Sequence, residues 1–349
     1  MAIELELQRR AMEFYQRQLQ RRPQGWAARH LRERGLGAAL DGSAWRIGYA
    51  PDSWTALTDH LRKSGFSDES LLAARLVTST INGYLVDRFR DRIMFPVENA
   101  ALEVVGFTGR SRGGRQRYLN SPATAIYRKS ETTVGLVAQR GKLLRGATPV
   151  LVEGVMDALA VDQLGTQWAG ISTCGTAVSP RQAAMIRKLA PCNRIVVAFD
   201  PDLGGRLGVV RSLGALHAAF GAVQAAVLPD GCDVAELFQS SPARLIECLS
   251  TADALARFAI DLEIAKWEPV LDHLSGRVNA LRAVVPFVRQ LPAGRVAGEI
   301  ARLSERLDLE VDVVTREVLT PVIRPRSGRR AVGWNGEPLN WDAASSRTP

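Results

Sequence analysis

Glu153 and Asp157, in Glu153-Gly-Val-Met-Asp157, and Asp200 and Asp202, in Asp200-Pro-Asp202, are the residues of this chain whose type and spacing can do chemistry. Each motif closes a short, β-branched apolar run: Val150-Leu-Val before Glu153, and Ile195-Val-Val-Ala-Phe before Asp200. Runs of this length, ended by Gly or Pro, read as interior strands. Carboxylates gathered at strand ends repel one another unless a divalent cation neutralises them. Mg²⁺ suits such a set, because it takes one or two carboxylates and completes its shell with phosphate oxygens and water. The plainer reading makes Glu153 a helix cap and Asp200-Pro-Asp202 a turn. Finding both motifs in this order, on neighbouring parallel strands, weighs against it.

The elements that must hold these acids follow from the same stretch. Leu159–Leu164 reads as helix and Thr166–Ser172 as strand. Ser179-Pro180 starts another helix, with a serine N-cap and proline at the first helical position. Strand, helix, strand, helix, strand predicts a parallel sheet with helices on both faces. Ligands of such sheets sit beyond the carboxyl ends of the strands, where both motifs fall. Ala222–Leu228 supplies a fourth strand and runs into a further acidic loop, Pro229-Asp-Gly-Cys-Asp-Val-Ala-Glu236.

Upstream, Leu5–Gln20 places Leu7, Met12, Tyr15 and Leu19 on one helical face. Ala27–Arg34 is a second helix, ended by Gly35. Ile47–Ala50 is a short strand, and Asp52 or Ser53 is expected to cap a helix over Trp54–Leu61. Ser67 caps another. Together these predict a small helical bundle. Ile93–Val97 and Leu102–Phe107 form an antiparallel pair. From Ser241 the pattern is helical over Ala243–Leu249, Ala252–Trp267, Arg277–Gln290 and Val296–Leu307. Pro321–Pro349, rich in Pro, Gly, Ser and Arg, reads as a mobile tail.

At 349 residues the chain has room for two or three cores, and 46% hydrophobic with 23% charged residues is ordinary for a globular protein. No apolar run reaches membrane-spanning length, and charges occupy Met1–Met12 where a leader needs an apolar centre, so the expected location is the cytoplasm. Cys174, Cys192, Cys232 and Cys248 are far apart, and none of the four histidines stands at zinc-finger spacing from them. The net charge of +9 is concentrated: Arg110–Arg145 holds nine basic residues against Glu131 alone, a net of +8. Tyr118 and Tyr127 interleave with these cations, a mixture suited to phosphates and stacked bases.

Asp87–Val97, Gly106–Arg110, Arg117-Tyr-Leu-Asn-Ser-Pro122 and Lys129 resemble the RNA polymerase core of bacterial DnaG-type primases. Glu153-Gly-Val-Met-Asp157 and Asp200-Pro-Asp202-Leu-Gly-Gly look like the two signature motifs of the TOPRIM domain inside that core. The similarity runs from about Ala11 to Phe238, and more loosely to about Val318. The acidic motifs are shared with topoisomerases and some nucleases, whereas the Arg-Tyr-Leu-Asn-Ser-Pro block is specific to primases. The resemblance implies an α/β fold: a TOPRIM-type parallel sheet flanked by helices, preceded by a mixed α+β subdomain and followed by a helical one. The expected divisions are 1–140, 141–240, 241–320 and a tail at 321–349.

By the same resemblance Glu153, Asp200 and Asp202 are catalytic, and Glu153, Asp157, Asp200, Asp202 and Asp233 hold Mg²⁺ or Mn²⁺. Arg92, Arg110, Arg117, Asn120 and Lys129 contact template or nucleotide. The implied reaction is template-directed attack of a ribonucleotide 3′-hydroxyl on the α-phosphate of the next NTP. Its implied partners are single-stranded DNA, NTPs and a replicative helicase or separate zinc-binding replication protein, with no membrane.

The chain departs from the family pattern in places. A third, Asp-Pro-Asp-type motif of the family reads Asp233-Val-Ala235 here, so its second acid is missing and Glu236 stands as the candidate replacement. Neither the family's N-terminal zinc-binding module nor its C-terminal helicase-binding domain finds a match. A self-contained primase of a plasmid, phage or integrated element would fit that architecture. The alternatives are a non-catalytic, primase-like subunit binding single-stranded DNA, or a TOPRIM nuclease or topoisomerase. A topoisomerase needs a tyrosine nucleophile in a separate domain, yet Tyr15, Tyr49, Tyr84, Tyr118 and Tyr127 all precede the acidic motifs.

Overall fold

The computed structural model describes residues 1–41, 44–114, 116–175, 177–200 and 203–320; Asp202 and the expected Pro321–Pro349 tail lie outside these described residues. Helix α1 (Ala2–Gln20) forms because Leu7, Ala11, Met12, Tyr15 and Leu19 recur at helical spacing, and all of them are buried. Then come α2 (Trp26–Glu33), β1 (Gly48–Ala50), α3 (Ala56–Lys63), α4 (Asp68–Ala73) and a hairpin of β2 (Val77–Ser79) with β3 (Leu85–Asp87). Next, β4 (Arg92–Glu98), β5 (Val104–Ser111) and β6 (Tyr118–Asn120) join β1 in an antiparallel sheet of order β1-β4-β5-β6.

The expected helical bundle is therefore a set of helices laid on a sheet. Its contact is close: a Cβ at Gly48 in β1 would stand 2.4 Å from Tyr15 Cβ in α1, a distance only glycine avoids.

The cap of α3 also differs from expectation. The helix starts two residues after Trp54, and neither Asp52 nor Ser53 caps it. Asp87 does so from β3: its carboxylate accepts from the N–H of Leu57 (2.7 Å), the N–H of Thr58 (2.9 Å) and the Thr58 hydroxyl (2.6 Å). Burial raises the Asp87 pKa, against the pull of these donors. Asp87→Ala strands three buried donors, so urea denaturation should show a loss of about 2–4 kcal/mol. A change under about 1 kcal/mol would remove Asp87 as the cap that matters.

The second sheet follows α5 (Leu136–Leu144). In chain order its elements are β7 (Thr148–Val152), α6 (Val155–Asp162), β8 (Trp168–Ser172), α7 (Pro180–Leu189), β9 (Arg194–Val197), α8 (Leu203–His217) and β10 (Ala222–Ala225). After α9 (Val234–Ser240) and α10 (Pro242–Ser250), the two-residue β11 (Asp253–Ala254) closes one edge. The order is β11-β10-β9-β7-β8, with the first four strands in sequence parallel and β11 antiparallel. β7 and β9 are direct neighbours, with Val150 opposite Val196 and Leu151 opposite Val197.

Alternation along these strands divides the interior in two. Leu151, Ile195 and Val197 enter one core, with α7 and α8, while Val150, Val152, Val196 and Ala198 enter another, with α6, α9 and the N-terminal sheet. Four helices, α11 (Leu255–Ala265), α12 (Leu274–Val288), α13 (Ala293–Leu307) and α14 (Val311–Leu319), extend the first core. Among the described residues no helix is long and apolar enough to cross a membrane.

Candidate active site

The acids gather because β7 and β9 are parallel neighbours ending on one side. Glu153 follows the last residue of β7, and Gly154 is the N-cap of α6. Asp200 lies just beyond β9, and its N–H donates to Glu153 Oε1 at 3.3 Å, so the motifs touch. Gly205, in the first turn of α8, is pressed against both. A Cβ there would stand 2.1 Å from the Asp200 carbonyl oxygen and 2.7 Å from Glu153 Oε1.

Asp157, in the first turn of α6, accepts from the Gly154 N–H (3.1 Å) with one carboxylate oxygen and from the Ala235 N–H (3.0 Å) with the other. It is 7% exposed. Burial pushes its pKa up to about 8, Asp233 and Asp200 add to the rise, and the two N–H donors oppose it. Asp233 caps α9, accepting from the Glu236 N–H at 2.7 Å.

Glu236, the candidate for the missing third-motif acid, returns its carboxylate to the Asp233 N–H at 3.3 Å, completing a capping box. It is exposed and does not line the cleft. Position 235 instead contributes a main-chain N–H to Asp157.

The opposite wall is set by strand register. Thr108 pairs with Asn120 and Arg110 with Tyr118 across β5 and β6, so these four side chains share one face. Together with Glu153, Asp157, Asp200 and Asp233 they line a cleft of about 360 Å³. Arg110 is 6% exposed, and its Nε and Nη1 find no acceptor in the protein. A buried cation with unmet donors facing an open cleft is built to take an anion.

Arg117 also lines the cleft and is exposed. Lys129 reaches the turn beside it, where a Cβ on Gly175 would stand 3.3 Å from Lys129 Nζ. Arg92 does not line the cleft. Its Nη1 donates to the carbonyls of Gly109 (3.1 Å), Gln116 (3.2 Å) and Arg117 (3.4 Å), bracing the segment that presents Arg117.

Sequence reading missed one group on this wall and one coupled to it. Arg34, at the end of α2, lines the cleft. His30, one turn earlier, has a buried Nε2 without a partner, and its pKa is lowered to about 4 by burial, then by Arg110, Arg34 and Arg117. Nothing in their local spacing separates them from the other charges of α2.

Among the described residues no three His, Cys, Asp or Glu side chains enclose an ion by themselves. The candidate donors are all carboxylates, Glu153, Asp157, Asp200 and Asp233, gathered on one wall of an open cleft. That fits a hard cation which keeps waters and takes ligand oxygens, better than one needing a closed protein cage.

The raised Asp157 pKa has a consequence in the metal-free protein. The unfolded carboxyl loses its proton near 3.8 and the folded one near 8. Stability from this group is therefore full below the lower value and falls as pH rises to the upper one. Thermal melts in EDTA should show that decline. Asp157→Asn, weakened by one lost hydrogen bond, should lack Asp157's share of it. Equal slopes for the two proteins would overturn the assignment.

Residues 14–140 match the family described as DNA primase catalytic core, N-terminal domain, and residues 150–238 match the family described as Toprim-like. The DNA primase of Mycobacterium tuberculosis is 33% identical over 302 residues, 84% of this chain and 46% of the relative. The chain thus spans about half the length of the curated relatives it matches. The crystal structure of the RNA polymerase domain of Mycobacterium tuberculosis primase DnaG, in complex with double-stranded DNA, superposes with a TM-score of 0.68 at 32% identity, over 89% of this chain and 99% of that one. A DnaG primase catalytic domain bound to single-stranded DNA gives a TM-score of 0.70 at 27% identity, over 88% and 98% of the two chains.

Proposed function

This chain belongs to the family of DnaG-type bacterial DNA primases, and on that premise we propose that it is a primase core that joins ribonucleotides into short primers on single-stranded DNA. One observation carries the reading: carboxylates and an unsatisfied buried arginine face each other across a single cleft of about 360 Å³. Nucleotidyl transfer needs both walls, one for cations and the reacting hydroxyl, the other for phosphate charge.

Glu153, Asp157, Asp200, Asp202 and Asp233 would hold Mg²⁺ or Mn²⁺, with Glu153, Asp200 and Asp202 nearest the reacting atoms. The ion supplies Lewis acidity toward the attacking hydroxyl and the phosphates. Arg110 gives its unmet N–H groups to a phosphate. Arg117, Asn120, Lys129 and Arg34 line or border the path of template and nucleotide, and Arg92 acts by holding Arg117's segment. Asp157, tied to two main-chain N–H groups, keeps its carboxylate turned to the cleft.

The proposed divisions are 1–140 for the template-handling subdomain, 141–240 for the catalytic one and 241–320 for the helical one. A cytoplasmic setting and either a replicative helicase or a separate zinc-binding replication protein complete the reading. A single-strand-binding subunit without catalysis would use the cationic wall and leave the acids without a task.

The test is incorporation of labelled NTPs on a mixed-sequence single-stranded template with Mg²⁺ or Mn²⁺. Short RNA products are expected. Tight template binding without product, even with the host's replication proteins added, would overturn the reading in favour of the binding subunit.

A further inference from the structure

We infer that Tyr118 reads the ribose of the reacting nucleotide, its phenol hydrogen-bonding the 2′-hydroxyl next to the attacking 3′-hydroxyl. This rests on the primase reading of the cleft. Cross-strand pairing with Arg110 fixes where the ring stands, and Tyr118 lines the same cleft as Glu153, Asp157, Asp200 and Asp233. It keeps 37% of its surface open.

The phenol feels the charges of both walls. Burial pushes its pKa up to about 12, the Arg110 cation pulls it down, and the charges of Asp157 and Asp233 add to the rise. It is therefore a neutral hydroxyl at working pH. A phenol hydroxyl both donates and accepts, so its O–H can be given to a ligand in the cleft.

Sugar geometry supplies the rest. The 3′-hydroxyl that attacks must lie at the acids, and the 2′-hydroxyl is on the adjacent carbon. A polar group beside the acids but outside their cation shell meets the 2′ position first. The other groups on this wall serve other chemistry: Arg110 and Arg117 are cations suited to phosphate, and Thr108 and Asn120 stand two cross-strand pairs further along the strands.

The experiment extends a template-annealed RNA primer by one NTP, comparing a terminal ribose with a terminal 2′-deoxyribose, in wild type, Tyr118→Phe and Tyr118→Ala. Wild type should favour the ribose end by about tenfold in kcat/KM, the weight of one well-placed hydrogen bond. Tyr118→Phe should bring the two ends within about twofold, mainly by slowing the ribose end, with template Kd unchanged. Tyr118→Ala, which also removes the ring, should slow both ends further. An unchanged ratio in Tyr118→Phe, or equal losses on both ends, would leave the phenol as no more than a support for Arg110 and overturn the inference. Extension of neither end by wild type would overturn the primase reading, and the inference with it.

Discussion

Asp200→Ala should lower nucleotide joining by at least about a thousandfold and change single-stranded DNA affinity by less than about threefold. The asymmetry follows from which wall is altered. Asp200 belongs to the acid side and Arg110, Arg117 and Arg34 to the cationic side, where on the proposed reading template affinity and its salt dependence should originate. The main-chain N–H of Asp200 still reaches Glu153 after the substitution. Removing a negative charge that raises the Asp157 pKa should also let Asp157 ionise at a lower pH. The variant should then fold at least as well as wild type in metal-free buffer. Incorporation assays paired with fluorescence anisotropy on one oligonucleotide measure both quantities. Activity within tenfold of wild type would remove Asp200 from the reaction.

Gly205→Ala should be nearly as damaging to activity by a different route, with a loss of at least about a hundredfold. No chemical group disappears. The added methyl would lie 2.1 Å from the Asp200 carbonyl oxygen and 2.7 Å from Glu153 Oε1, so the start of α8 must move away from both motifs. Shifts of this kind also destabilise, by about 1–3 kcal/mol. Gly214→Ala is the control. It sits in the same helix with nothing within 4 Å of its would-be Cβ, and it should gain about 0.5–1 kcal/mol from helix propensity with activity intact. If both variants behaved alike, crowding at Gly205 would not be what matters.

The acid wall was legible in the sequence because its cause is local. A β-branched run ended by Glu153-Gly154 or Asp200-Pro201 announces a strand and its end within a few residues. The parallel order then puts both ends on one side. The cationic wall was legible only in part. Arg110, Arg117 and Lys129 stand out as a charge run, but Arg34 reaches the cleft, and His30 comes under the influence of its cations, through the packing of α2, which no local spacing records. Asp87 was missed as the cap of α3 for the same reason, because its partners lie 29 and 30 residues away. The two-residue β11 is too short to carry any pattern. Asp52 and Ser53 misled because each has the right type at the right offset while Asp87 serves α3 from β3, and Glu236 turns its carboxylate to the Asp233 N–H rather than to the cleft.

The Ala235 amide that steadies Asp157 changes how the third motif should be spelled. As letters, Asp-Val-Ala is a word with a character missing. As contacts, the position speaks through its main chain, and every amino acid but proline pronounces that sound alike. The vocabulary open at 235 is therefore bounded by the size of the buried slot and by one forbidden residue.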